Sequence, residues 1–298
     1  MMKKAIKIIS FIAVLLLILS VIIGCGGKID PTAVAKKFYS KEGEGPFDNI
    51  PEDGGFAAIF RTVAVIGDSM AAGEFETDGS NVDLYDYSWP AYLGRITGAT
   101  VYNFSRGGMT AMEYMETYAD KNDYWNTDYA AECYILALGC NDFDGLEMPV
   151  GDISDINFRD YTQNNTSTFC GYYAQIIQRY KEIQPDARFF LCTMLHDERY
   201  FNYSTEEGNM VDAHRELLYK LAEEFEFTYV IDFATYGPVW DDEFRENFCM
   251  GEHYNAAGYL MSAKLTCAYI DYIIRNNPEE FRKVSFIGTR YTNSDYLY

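Results

Sequence analysis

The chain of 298 residues is strongly acidic: 24 Lys and Arg stand against 45 Asp and Glu, giving a formal net charge of −21. A surface of this charge repels phosphate groups, so we expect no nucleic-acid partner and no attraction to anionic lipid headgroups. Only three histidines are present, and the cysteines show no CxxC or Cys/His spacing. The sequence therefore indicates neither a metal site nor an organic cofactor, and no obligate protein partner is evident.

The N-terminus has the layout of an export signal. Basic residues come first, an apolar run of about 18 residues follows, and the segment "IIGC" ends at Cys25. This ending resembles a bacterial lipobox, so residues 1–24 are predicted to be a lipoprotein signal peptide and Cys25 the lipidated first residue of the mature chain. The alternative is a plain membrane anchor, because such a run could just span a bilayer. In both cases we expect the chain at the extracytoplasmic face of the bacterial cell membrane.

The rest of the sequence divides into a tether and one domain. Residues 25–55 are rich in Gly, Pro and charge, which predicts a flexible tether. Residues 56–298 alternate between apolar strand-like runs and amphipathic segments. The predicted strands cover 62–68, 99–105, 132–139, 187–195 and 228–233, and the predicted helices cover 88–98, 110–120, 169–185, 205–225 and 255–278. Five such pairs, with strands apolar on both faces, predict an α/β fold with a five-stranded parallel sheet between two layers of helices.

Six cysteines besides Cys25 lie in this domain. An even number in an exported protein allows disulfides. Cys133 and Cys192, however, fall in predicted core strands, where cysteine acts as a small apolar residue. We expect mostly free, buried thiols with at most one bridge.

Polar elements follow the first three predicted strands: "GDS" at 67–69, "NFSRGG" at 103–108 and "GCND" at 139–142. Because ligands of parallel sheets bind outside the carboxyl ends of the strands, these elements should meet. Ser69 opens a turn with its hydroxyl and N–H exposed, while Gly108 and Asn141 add a backbone donor and an amide donor. Such donors suit an oxyanion hole for acyl transfer. His253, after the fifth strand, would reach the same edge as a general base.

Four segments, "VIGDSM", "NFSRGGMT", "LGCND" and "GEHYNAAGY", resemble in this order the four blocks of the SGNH (GDSL) hydrolase superfamily. The resemblance spans about residues 62–275. It implies a flavodoxin-like three-layer α/β/α sandwich and ester hydrolysis. It also implies that Ser69 is the nucleophile and His253 the base, with Ser69, Gly108 and Asn141 forming the oxyanion hole.

The sequence departs from this family at one position. The block that contains His253 has an acid three residues before the histidine, and here that position is Met250. A thioether accepts hydrogen bonds only weakly, so another group has to orient the imidazole. We expect a Ser–His dyad steadied by a main-chain carbonyl or a water. A displaced carboxylate and an inactive site are the alternatives, and the nearby acids are Glu246, Glu252 and Asp232, of which Asp232 is expected to end its strand.

Several neighbouring residues have simpler interpretations. Arg106 is expected in solvent or in a salt bridge, and His214 on the surface of an amphipathic helix. Asp68 and Asp142 are expected to hold their own loops. Aromatic residues near the predicted site could form a platform for sugar rings, although aromatics also fill cores; they are Tyr85, Tyr87, Trp89, Tyr124 and Trp125.

These observations predict a lipid-anchored serine esterase that hydrolyses a small-molecule or glycan ester without a cofactor. The extracellular setting and the aromatic residues favour a short acyl group, such as acetyl on a polysaccharide. Three alternatives stay open. The chain could be an esterase of lipids or lysophospholipids, an acyltransferase to a glycan hydroxyl or, because of Met250, an inactive carbohydrate-binding protein.

Overall fold

The computed structural model describes residues 43–77, 80–196, 204–205, 208–289 and 291. The predicted signal peptide, the predicted lipidation site Cys25 and most of the predicted tether lie outside the described residues. In the part of the chain that is described, no helix combines the length and the apolar character that crossing a membrane requires.

The strands, in chain order, are β1 (Thr62–Gly67), β2 (Glu74–Thr77), β3 (Ser80–Asp83), β4 (Thr100–Asn103), β5 (Cys133–Ala137), β6 (Arg188–Cys192), β7 (Ser204–Thr205), β8 (Gly208–Asn209), β9 (Thr228–Ile231), β10 (Cys249–Met250) and β11 (His253–Tyr254). The helices are α1 (Ser69–Ala72), α2 (Trp89–Thr97), α3 (Ala111–Glu113), α4 (Ala119–Lys121), α5 (Cys140–Asp144), α6 (Phe169–Ile183), α7 (Met210–Glu224), α8 (Phe233–Tyr236), α9 (Asp242–Phe248) and α10 (Ala256–Asn276). A π-helical turn, Tyr114–Tyr118, joins α3 to α4.

Five parallel strands form the central sheet in the order β4-β1-β5-β6-β9. Counted within the sheet, this is the order 2-1-3-4-5 of flavodoxin-like doubly wound folds. The order reverses between β1 and β5, and the carboxyl ends of these two strands are in register, with Gly67 opposite Ala137. The predicted fold class is confirmed.

Helices cover both faces of the sheet. Along β1, Ala64 and Ile66 point into one core while Val63 and Val65 point into the other, and all four are almost completely buried. Residues of α6 and α7 complete the first core, and residues of α2 and α10 complete the second. Burial on both faces explains why these strands are apolar throughout instead of alternating with polar residues.

The segment that precedes the first strand packs against α10. Glu44 forms an ion pair with the buried Arg275 at 3.1 Å, and Arg275 Nε also donates to Asp271 at 2.7 Å. The ring of Phe47 lies edge-on against Tyr269, with the ring centroids 5.7 Å apart. Part of the segment predicted as a flexible tether is therefore fixed on the domain.

No disulfide joins any two of the six cysteines in the described part of the domain, as expected. Four are buried and two are partly exposed: Cys133, Cys170, Cys192 and Cys267 in the first group, and Cys140 and Cys249 in the second.

The expectation that His214 lies on a helix surface is wrong. His214 lies in α7, and its side chain is completely buried. Its Nδ1 accepts a hydrogen bond from the Met194 N–H at 3.3 Å, and its ring lies edge-on against Phe143 and Phe169. Burial lowers the pKa of His214 to about 3, because the charged imidazolium would lose its hydration. The residue belongs to the apolar stripe of the helix, which continues at Leu217, Leu218 and Leu221.

This burial predicts a specific acid sensitivity. Between pH 6.5 and 3 the unfolded chain binds a proton that folded His214 does not bind, so its contribution to the free energy of unfolding is lost as the pH falls. From pH 7.5 to pH 5.5 the wild type should lose about 1.4 kcal/mol more than the variant His214→Gln. Urea unfolding of both proteins at both pH values measures this difference. Equal losses in the two proteins would contradict it.

Candidate active site

Ser69 lies directly after β1 as the first residue of α1. Asp68 caps this helix, and its Oδ1 accepts a hydrogen bond from the Met70 N–H at 3.0 Å. The Asp68 carboxyl therefore holds the turn as expected, and its burial raises its pKa to about 6. From β4, Asn103 Nδ2 donates to the carbonyl of Ala71 at 2.8 Å. These contacts fix the turn that presents Ser69.

Gly108 lies in the loop after β4, and Asn141 lies in α5, in the segment that follows β5. Gly108 has a φ of +67°, a left-handed conformation that favours glycine. Asn141 Nδ2 donates to the carbonyl of Met109 at 3.1 Å, which links the two loops directly. Among the described residues, the backbone N–H groups of Ser69 and Gly108 donate no hydrogen bond. They are available to a developing oxyanion, as the predicted roles require.

Asp142 holds together the segments that follow β4 and β5. Its completely buried carboxylate accepts the N–H of Ala111, at the start of α3, with distances of 2.9 Å to Oδ1 and 3.2 Å to Oδ2. Burial raises the pKa of Asp142 to about 7. The residue ties the loop after β5 to α3, as expected.

His253 is the first residue of β11, in the two-stranded hairpin that β10 and β11 form. Met250 is its cross-strand partner and is 44% exposed. Gly251 makes the turn between them with a φ of +70°. The hairpin brings the imidazole to the edge of the sheet where β1 ends, while the side chain at position 250 extends toward solvent.

A carboxylate lies next to His253 Nδ1, and it comes from the β2–β3 hairpin, which the sequence analysis did not predict. Glu76 Oε1 is 3.3 Å from Nδ1, and Glu74 Oε1 is 3.5 Å from Nε2. The imidazole therefore lies between two carboxylates. The structure places a carboxylate where we expected a main-chain carbonyl or a water, in line with the alternative of a displaced carboxylate. This acid is none of the three candidates considered: Glu246, Glu252 and Asp232.

Ser69, Asn141 and His253 line one cavity of about 420 Å³ at the carboxyl ends of β1, β5 and β6. Among the described residues, Gly108 is not part of its lining, and no hydrogen bond joins Ser69 Oγ to His253. Catalytic hydrogen bonds are often long until a substrate binds, so the absence of this bond does not contradict the predicted roles. Much of the cavity wall is apolar, formed by Trp89, Leu195, Phe233, Trp240, Met261 and Leu265.

Two other expectations near the site are confirmed. Arg106 forms a two-point salt bridge with Glu113, at 2.9 and 2.6 Å, which raises the pKa of the guanidinium. Asp232 ends the fifth strand of the sheet and caps α8. Its Oδ2 accepts from Arg215 Nε at 2.7 Å and from the Tyr219 hydroxyl at 3.1 Å, so it serves the structure of the loop and not His253.

The predicted aromatic platform is reduced to two tyrosines. Tyr85 and Tyr87 are exposed in the loop after β3, and the Tyr85 hydroxyl donates to the carbonyl of Ser105 at 3.1 Å, close to Gly108 in sequence. The other aromatics pack inside the protein: Trp89 in the cavity wall, and Tyr124 and Trp125 against the first core.

The two glutamates that face His253 carry a weak sequence signal. Residues 73–77 read "GEFET", so that Glu74 and Glu76 fall on one face of a strand and Phe75 on the other. The structure confirms this alternation, because Phe75 packs against Tyr87 and Tyr259. A period-two pattern of this kind, soon after a nucleophile, could have indicated the hairpin.

Comparisons with known proteins find solved structures that are similar to this chain. A carbohydrate esterase family 2 enzyme with a carbohydrate-binding domain, from Corynascus thermopiles (Myceliophthora fergusii), is 15% identical with a TM-score of 0.51, over 72% of this chain and 66% of that one. A family two carbohydrate esterase from Clostridium thermocellum, in complex with cellohexaose, is 17% identical with a TM-score of 0.49, over 74% of this chain and 65% of that one. The chain thus spans about two thirds of these two proteins. A possible lipase from Chitinophaga pinensis is 17% identical with a TM-score of 0.48, over 73% of this chain and 98% of that one.

No curated protein matches the sequence. The GDSL-like lipase/acylhydrolase family matches it over residues 65–261, from β1 to the first turns of α10. This range contains all four sequence blocks and Ser69, Glu74, Glu76, Gly108, Asn141 and His253. The chain belongs to the GDSL-like lipase/acylhydrolase family of ester-cleaving hydrolases.

Proposed function

We propose that this protein is an extracytoplasmic serine esterase that removes short acyl groups from a small-molecule or glycan ester. One observation carries the proposal: Ser69, Asn141 and His253 line the same cavity at the carboxyl edge of the sheet. A nucleophile, a base and an oxyanion donor are the groups that acyl transfer requires.

The reaction follows from these positions. Ser69 Oγ attacks the ester carbonyl carbon while His253 takes the hydroxyl proton, and the carbonyl oxygen becomes an oxyanion that accepts from the N–H groups of Ser69 and Gly108 and from Asn141. The bond to the alcohol then breaks, and His253 returns the proton to the leaving oxygen. Water attacks the acyl-enzyme in the same way, giving the carboxylic acid and free Ser69.

The proposal also covers the substrate of the enzyme and its location in the cell. The export signal and Cys25 support a lipid tether at the outer face of the membrane. The exposed Tyr85 and Tyr87 support a sugar on the alcohol side, because aromatic faces suit sugar rings. The similarity in fold to carbohydrate esterases makes acetylated glycans the first substrates to test.

The serine mechanism predicts that Ser69→Ala lowers the rate of p-nitrophenyl acetate hydrolysis by at least on the order of 10³. The exposed Ser167→Ala should keep the wild-type rate. A fluorophosphonate should label the wild type and Ser167→Ala but not Ser69→Ala.

Equal rates for Ser69→Ala and the wild type would end the esterase proposal. Glycan binding with neither turnover nor labelling would favour the inactive binding protein. Product analysis with an added glycan separates hydrolysis from transfer to a sugar hydroxyl.

The apolar cavity makes a second prediction, on acyl length. An acetyl group leaves much of the volume unfilled, so within the proposed range of short acyl chains, taken here as two to six carbons, kcat/KM for p-nitrophenyl esters should rise from acetate to hexanoate, by up to about fourfold per buried methylene. Leu265→Trp narrows the cavity and should lower the hexanoate rate while the acetate rate is kept. A preference for acetate over butanoate in the wild type would show that the acyl group does not enter this cavity.

A further inference from the structure

We propose that Glu76, on the β2–β3 hairpin, is the positioning residue for His253 and takes the role that the family pattern gives to position 250. The inference rests on the proposed serine esterase function. In that reaction His253 has to keep its proton on Nδ1, leaving Nε2 free to accept from Ser69, and it becomes positively charged in the transition state. A carboxylate at Nδ1 supports both requirements.

The contacts of Glu76 suit this role. Its Oε1 lies 3.3 Å from His253 Nδ1 and also accepts the backbone N–H of Glu252. The carboxylate packs against the turn at Gly251, where a β-carbon would collide with it. It is therefore held by the same hairpin that carries the base. Because the Glu76 side chain is 31% exposed, its effect should be smaller than that of a completely buried acid.

The hairpin that carries Glu76 is anchored in the domain. The Tyr259 hydroxyl, from α10, donates to the carbonyl of Glu74 at 2.6 Å, and the Phe75 ring packs on Tyr259 with centroids 5.2 Å apart. At the base of the hairpin the Leu84 N–H donates to the carbonyl of Gly73 at 2.9 Å. A positioning residue needs such support, because its own geometry determines that of the base.

Glu74 is the competing carboxylate, and its geometry is less suitable. It lies 3.5 Å from Nε2, the nitrogen that the reaction requires to face Ser69. Its other oxygen approaches Gly107, in the loop that follows β4. Of these two glutamates, only Glu76 is within hydrogen-bond distance of the ring nitrogen that the reaction leaves free for an acid.

The test compares two substitutions at one position. Glu76→Gln keeps an oxygen that can accept hydrogen bonds at Nδ1 but removes the negative charge, whereas Glu76→Ala removes the partner altogether. We expect kcat to fall on the order of 10² in Glu76→Ala and less in Glu76→Gln, with KM almost unchanged. Glu246→Gln removes the same charge from an exposed position on α9 and should retain the wild-type rate.

A rescue experiment separates positioning from a general structural effect. Met250 and His253 are cross-strand partners, so an aspartate at position 250 stands close to the imidazole. Glu76→Ala/Met250→Asp should raise kcat up to about fivefold over Glu76→Ala, the range expected for a charged cross-strand pair. Wild-type kcat in both Glu76 variants, or a larger loss in Glu74→Ala than in Glu76→Ala, would overturn the assignment.

Nitrogen NMR of the three imidazoles tests the proposal without turnover. The Nδ1–H tautomer of His253 should dominate in the wild type and the Nε2–H tautomer in Glu76→Ala, where Glu74 is left as the acceptor at Nε2. An unchanged tautomer overturns the proposal for Glu76. A changed tautomer in a protein without esterase activity would instead keep the positioning role and reject the proposed function.

Gly251 offers an independent test with a matched control. Gly251→Ala and Gly98→Ala both place alanine at a φ near +70°, but only the first puts a β-carbon into the Glu76 carboxylate. Both should lower the free energy of unfolding, because alanine is strained in this conformation. The rate of ester hydrolysis should fall only in Gly251→Ala. Equal activity in the two variants would show that the position of Glu76 does not matter.

Discussion

Residues that are far apart in the sequence meet because all strands of the sheet run in the same direction and therefore end at one edge. The reversal of strand order between β1 and β5 opens a space above that edge. Ser69, after β1, and Asn141, after β5, line this space, and residues of α10 complete the lining of the cavity. The caps and cross-loop hydrogen bonds of the site maintain an arrangement that the sheet has already determined.

Two buried acids illustrate how these loops are held. Asp68 and Asp142 both lose hydration, and this loss raises the pKa of each carboxyl. Backbone N–H groups at the starts of α1 and α3 offset part of the cost, because a hydrogen bond to a charged acceptor is stronger than one to a neutral group. The positions of the nucleophile and of the oxyanion loops thus depend on buried carboxyl groups that do not take part in the reaction.

The sequence was most informative where burial dictates the residues. The five sheet strands are apolar on both faces, and the polar segments after them mark the edge of the sheet, so the fold, Ser69, Asn141 and His253 could all be predicted. The β2–β3 hairpin could not, because its short strands contain charged residues and no apolar run. Its position depends on Tyr259, which is 185 residues from Glu74 in the chain. His214 was mistaken for a surface residue because a polar side chain on the apolar stripe is recognisable only once its neighbours are known.

Because the β2–β3 hairpin carries Glu76, the contact between Glu76 and His253 depends on the number of residues between Ser69 and Glu76. Ser69 and Glu76 belong to one continuous segment, whereas His253 arrives 177 residues after Glu76. Because side chains alternate along a strand, one residue inserted between Gly73 and Glu74 would turn both glutamates away and present the ring of Phe75 to the imidazole. In this protein the length of the segment after the nucleophile therefore decides whether the histidine has an acid. Among distant relatives with no acid before the histidine, the alternation of side chains downstream of the serine is the place to look for one.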